Sequence, residues 1–198
     1  NALVRIQAAD DFPNFYIRNI KENTLKAITN VENPFKSLKN VEKKILKYKR
    51  SDGIELTATL YLPENAKAKN EKLPLLIWAY PVEYKDKSST GQTTANPNEF
   101  IYPNYGTFIY WVMRGYAVLD DASFPIVGEG ETEPNDTFLQ QLIQNAQAAI
   151  DVAGKTGLID TERVGIGGHS YGAFMVANLL THTNLFKCGV ARSGAYNR

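Results

Sequence analysis

Gly168-His169-Ser170-Tyr171-Gly172 is the one short run in this chain whose residue types and spacing can do covalent chemistry. It fits Gly-x-Ser-x-Gly, in which a serine on a sharp strand-to-helix turn projects its hydroxyl from the carboxyl edge of a sheet. The bare pattern arises by chance roughly 0.07 times in a chain of this length, so its flanks must decide. Arg163 to Gly167 reads as a buried strand and Gly172 to about Leu180 as an Ala/Leu-rich helix, which is the context the motif requires. A side chain at either glycine of such a turn would collide with neighbouring backbone. Ser170 is therefore the candidate nucleophile. A serine hydroxyl also needs a base to take its proton and donors for the oxyanion formed after attack. The Tyr171 N–H is the natural first donor. Tyr80, at the carboxyl end of the apolar run Leu73 to Ala79, is placed either to give a second donor through its O–H or to pack as a rim aromatic on Pro81.

The base is not evident. In sheets of this kind the acid and the histidine follow the serine along the chain, and the chain has two histidines. His169 adjoins the nucleophile and reads as a structural filler of the turn. His182 lies 12 residues on, about 18 Å along a helix axis, and reads as a helix C-terminal histidine favoured by the dipole. Glu129, Glu131, Glu133 and Asp136 form an acidic loop on the same edge, read as solvated in preference to an ammonium site. Asp120-Asp121 lacks a second cluster of ligands to suggest a metal, and Cys188 reads as a small core residue. No cofactor is implied.

The elements that must position Ser170 follow from periodicity. Phe15 to Asn19 and Thr24 to Thr29 read as a hairpin, and residues 30 to 40 as a linker. Lys43 to Tyr48 and Ile54 to Leu62 alternate around Ser51-Asp52-Gly53, a hairpin-turn signal. Leu73 to Tyr80 is a continuous apolar run, the mark of a strand buried on both faces. A helical stretch, Phe108 to Met113, stops at Gly115 and is followed by a strand from Tyr116. Asp136 is expected to cap a helix through Phe138, Leu142, Ala146, Ala149 and Val152, ending near Gly154 or Gly157. A further strand spans Lys187 to Arg192. Strands alternating with helices after an antiparallel start predict an α/β fold with a mostly parallel sheet.

Composition narrows the function classes. The 198 residues carry 22 Lys+Arg and 21 Asp+Glu, a formal charge of +1, which argues against nucleic acid as a partner. Charge is uneven, with 11 basic and 5 acidic residues in the first 50, but the lysines are scattered and read as a solvated face. Pro74 to Val82, the longest mostly apolar stretch, is less than half the roughly 20 residues of a membrane-spanning helix. A single cysteine excludes an internal disulfide.

Four stretches carry a resemblance to the catalytic domain of the prolyl oligopeptidase family of serine peptidases, and within it to the glutamyl endopeptidase branch. They are residues 75–81 (Leu-Leu-Ile-Trp-Ala-Tyr-Pro), 114–118 (Arg-Gly-Tyr-Ala-Val), 160–175 and 186–195. The third, with Gly-x-Ser-Tyr-Gly-x-Phe-Met after an Asp-x-x-Arg loop, is the most specific. The resemblance implies an α/β-hydrolase fold over residues 37–198, incomplete and running through the nucleophile turn, with residues 1–36 the tail of a β-propeller plus linker. It implies Ser170 as nucleophile, Tyr171 as backbone oxyanion donor, Tyr80 as side-chain oxyanion donor, and a peptide as substrate, cleaved after acidic residues. The catalytic Asp and His would lie outside these residues, so the chain by itself is expected to be inactive. An extracytoplasmic location is suggested by the resemblance alone. Pro81-Val82 stands where the family has a Gly-Gly pair, and the acidic loop replaces its Arg-Gly-Ser-Gly stretch. An esterase of the same fold, or a non-catalytic binding domain that keeps it, are the competing readings.

Overall fold

The computed structural model describes residues 1–68, 71–90, 95–103, 106 and 108–197. Two sheets form. The first is antiparallel in the order β1 (Ala2–Ile6), β2 (Asn14–Asn19), β3 (Thr24–Ala27). The expected hairpin is its β2–β3 half, turned by an Asn19 side chain that accepts from the N–H groups of Lys21 and Glu22 at 3.1 and 3.3 Å. The third strand, β1, went unread because its five residues gain meaning only from pairing with β2. Buried Asn14 accepts from Val31 N at 2.7 Å and donates to Val31 O at 3.1 Å. The linker is thereby held against the sheet.

The second sheet contains β4 (Glu42–Lys49), β5 (Glu55–Leu62), β6 (Leu73–Tyr84), β7 (Ala117–Val127), β8 (Ile159–His169) and β9 (Cys188–Arg192), in the order β4-β5-β7-β6-β8-β9. β4, β5 and β7 pair antiparallel, whereas β7, β6, β8 and β9 run parallel. Two helices, α1 (Phe138–Gly154) and α2 (Tyr171–His182), cover one face. Leu142, Ala146, Ala149 and Ala153 of α1 meet Leu75, Ile77, Leu119 and Ile166 of the sheet in one buried cluster. The 3-10 turn Ile109–Arg114, ended by Gly115 at φ 87°, covers part of the other face with Leu38, Tyr61 and Ile101.

Three expectations need correction. β6 is not buried on both faces: Leu73, Leu75, Ile77 and Ala79 are buried against the helices, while Leu76 and Trp78 are half-covered. Among the described residues, the short 3-10 segment and the Phe108 ring, 4.8 Å from Trp78, lie over that side. Asp136 does not cap α1 directly. With Glu133 it closes a reciprocal capping box on the preceding 3-10 turn, Pro134–Thr137, and the helix starts at Phe138. Cys188 is exposed, because β9 is the outer strand of the sheet among the described residues.

β7 carries a bulge invisible to periodicity. Ile77 pairs with Leu119 but Ala79 with Ala122, so β7 holds one residue more than β6 across this stretch. Asp121, at φ 49°, absorbs it. The helix-side residues of β7 therefore change parity, from Ala117 and Leu119 to Ala122, Phe124 and Ile126. On the opposite face the same change brings Asp121 and Ser123 into line with Tyr80, whose register partner is Ser123.

Candidate active site

Ser170 sits between β8 and α2 at φ 56°, ψ −113°, a left-handed conformation costly for a residue with a Cβ. Close approach enforces it. A Cβ at Gly168 would lie 2.5 Å from the Gly172 backbone, and one at Gly172 would lie 2.8 Å from the Ala79 carbonyl oxygen. Both positions therefore admit only glycine, and the chain can swing into α2 against β6. The Ser170 N–H donates to Arg192 O of β9 at 2.9 Å, and the Ser170 carbonyl accepts from Ala173 N at 3.0 Å. The turn is tied on both sides while Ser170 itself is exposed. Tyr171 opens α2, so its N–H belongs to the helix end where the macrodipole favours negative charge.

Tyr80 ends the apolar part of β6 and is 49 % exposed. Its ring meets Tyr171 edge-on, with centroids 6.1 Å apart and planes at 80°. Tyr171 is itself stacked on Phe138 and Phe174, with centroids 5.6 and 6.0 Å away. Ser170, Tyr171 and Tyr80, read from the sequence as one unit, thus gather at one edge of the sheet. His169 closes β8 opposite Arg192, and the Nδ1 of His182 lies 3.0 Å from Asn178 O at the far end of α2.

The neighbouring loops are bound to one another. β6 continues past Tyr80 through Tyr84, and Gly128 N donates to Tyr84 O at 2.8 Å. Lys85 pairs with Glu133 at 2.6 Å and Lys87 with Glu129 at 3.0 Å. Two carboxylates of the acidic loop are thus engaged by lysines, and a third, Asp136, accepts from Glu133 N at 2.9 Å.

Two further features were not readable in the sequence. Arg50, 3 % exposed, donates to both oxygens of Asp52 and to Pro125 O, Asn145 Oδ1 and Gln141 Oε1, all at 2.7–3.0 Å. Gln141 in turn holds Val127 by both its N–H and its C=O at 2.9 Å. This buried cation fixes the end of β7, where the acidic loop begins, and it keeps the Asp52 carboxyl below its usual range. The second feature is a cleft of about 770 Å³ on the sheet face away from the helices, reaching from Lys43 and Tyr61 to Tyr80. Lys43 donates there to the carbonyls of Asn96 and Glu99 at 3.0 Å. Burial lowers its pKa, an effect the Glu99 carboxylate opposes. Burial raises that of Tyr61, with Asp120, Asp121 and Glu99 adding to it. Lys43, one of four lysines in β4, gave no sequence signal for such a cleft.

The sequence profile of the prolyl oligopeptidase family matches residues 137–198, the stretch that runs from α1 through Ser170 to β9. This stretch belongs to the prolyl oligopeptidase family. The chain as a whole is similar to the probable chloroplastic glutamyl endopeptidase of Arabidopsis thaliana, at 44 % identity over 179 residues, covering 89 % of this chain and 19 % of that protein. Its rice counterpart (Oryza sativa subsp. japonica) is 43 % identical over 188 residues, covering 93 % and 20 %. The chain therefore spans about a fifth of the length of the curated relatives it matches. Among solved structures, the Pyrococcus horikoshii acylaminoacyl peptidase aligns at a TM-score of 0.60 and 21 % identity, over 97 % of this chain and 29 % of that one. The shared architecture is the α/β-hydrolase fold, and the stretch matched by the family profile contains the turn at Ser170.

Proposed function

We propose that this chain is part of a serine peptidase that cleaves peptide bonds through an acyl-serine at Ser170. The observation that carries the proposal is the left-handed Ser170 turn, held open by two glycines at which any side chain would strike backbone. In the proposed reaction the Ser170 hydroxyl attacks the scissile carbonyl while a base removes its proton. The Tyr171 N–H and Tyr80 O–H donate to the oxyanion, the amine leaves with a proton, and water then releases the acyl group. The proposal assigns the base and its carboxylate partner to residues beyond these 198. His169 adjoins Ser170 in the chain and pairs with Arg192, His182 lies at the far end of α2, and the curated relatives are about five times longer. The 198 residues alone are accordingly inactive.

We further propose that residues 37–198 are the first portion of the catalytic domain and residues 1–36 the tail of a β-propeller with its linker. The separate three-stranded sheet supports this division. Cleavage after acidic residues is supported by the names of the curated relatives. The test is intact-mass labelling by a fluorophosphonate of the 198-residue chain, of the full-length protein, and of its Ser170→Ala variant. Labelling of the full-length protein alone, abolished by Ser170→Ala, is the expected result. No labelling in any of them overturns the proposal.

A further inference from the structure

β6 runs four residues past Tyr80 because Pro81-Val82 keeps the backbone extended where a glycine pair would let it turn away. Its ladder with β8 ends at Trp78, so Pro81 falls where β6 has a free edge, the setting in which a strand tolerates a missing N–H. Pairing with β7 continues from Tyr80 opposite Ser123 to Tyr84 opposite Val127. The extension sets Glu83 on the same side as Ala79 and Pro81, toward α2. There its Oε1 accepts a hydrogen bond of 2.6 Å from the Tyr171 hydroxyl, across 88 residues of sequence. A phenol donating to a carboxylate at this distance is a strong, charge-assisted bond.

Tyr171 is the residue after the nucleophile, and its ring is the surface that Tyr80 meets edge-on. Phe138 and Phe174 restrain that ring on the helix side. The bond to Glu83 holds the ring at its hydroxyl end. The segment bearing Glu83 is itself held by the Gly128–Tyr84 backbone bond and by the Lys85–Glu133 and Lys87–Glu129 pairs.

We propose that Glu83 is a positioning residue of the acyl-transfer site: by locking the Tyr171 ring it holds the Tyr80 phenol where an oxyanion forms. The assignment rests on the proposed function of Ser170 and Tyr80. Its test uses the full-length protein with a fluorophosphonate as probe, read as the second-order rate of Ser170 phosphonylation. Glu83→Ala and Tyr171→Phe are each expected to slow labelling about tenfold, short of the hundredfold or more that follows outright loss of an oxyanion donor. Both leave the melting temperature unchanged. The double variant is no slower than either single, since each removes the same bond. Glu83→Gln, which retains an acceptor oxygen, recovers most of the rate. Unaltered rates, losses that multiply in the double variant, a Glu83→Gln defect as large as that of Glu83→Ala, or rates that simply track melting temperature each overturn the assignment. Absence of labelling in the wild-type protein overturns the serine-peptidase reading and this assignment together. A labelled wild type with an unaffected Glu83→Ala overturns this assignment alone.

Discussion

The Ser170 turn and the N-terminal sheet reach order by opposite means. Around Ser170, shape comes from close approach: Gly167, Gly168 and Gly172 each stand where a Cβ would lie 2.5–2.8 Å from a neighbour, and Val164, Ile166 and Met175 are buried. In the N-terminal sheet the order is almost wholly backbone pairing. All four residues of β3 are exposed, Leu3, Ile20 and Ile28 are 55–69 % exposed, and among the described residues ring contacts and hydrogen bonds tie this region to the segment 95–103. They include the Phe12 ring on Phe100 at 5.3 Å and the bond from Ile101 N to Ala9 O at 3.2 Å. A region held by packing has no room for substitution, whereas one held by a ladder tolerates many side chains because the ladder does not use them.

Substitutions can break or sharpen this contrast. The largest effect is expected for Gly168→Val, which drives a side chain into the Gly172 backbone; we expect a loss of about 3 kcal/mol or more in urea unfolding, as overpacking of a rigid site requires. Serine labelling of the full-length protein is lost with it. Next comes Arg50→Ala, which removes one hydrogen-bonding partner from each of Asp52, Asn145 and Gln141. Breaking a buried charge network of this kind costs about 3 kcal/mol, again read from urea midpoints.

A smaller effect concerns acid. Arg50 depresses the Asp52 carboxyl, so Asp52 binds its proton less readily folded than unfolded. Its stabilisation is complete above its ordinary value of 3.8 and drains away as pH falls through the lower folded value. Asp52→Asn should therefore flatten part of the acid limb of a stability-against-pH curve while leaving its shape above pH ~5 unchanged. The smallest effect is expected for Ile20→Ser in the β2–β3 turn of the N-terminal region, within about 0.5 kcal/mol of wild type. A loss there as large as that of Gly168→Val would erase the distinction between the two regions.

The features legible in the sequence were those whose physics is local. Gly-x-Ser-x-Gly between an apolar run and a helical pattern announced the turn, because the steric demand lies within five residues. The spacing of Leu142, Ala146, Ala149 and Val152 announced α1, and Ser51-Asp52-Gly53 the β4–β5 turn, where Gly53 stands at φ 87°. Features that depend on a distant partner gave no signal. Glu83 reaches Tyr171 across 88 residues, through the extension of β6. Arg50 finds Gln141 and Asn145 more than 90 residues away, where α1 brings them to it.

The sequence by itself determined that this is an α/β chain with a serine on a glycine-flanked turn, and it named Ser170, Tyr171 and Tyr80 as the group to examine. Only the tertiary structure decided which strands lie side by side, that β9 leaves Cys188 exposed, that a bulge at Asp121 changes the facing of β7, and that Glu83 meets Tyr171. The reason is that periodicity records which side of an element is apolar, whereas register, bulges and hydrogen bonds between distant residues are set by how whole elements fit against each other.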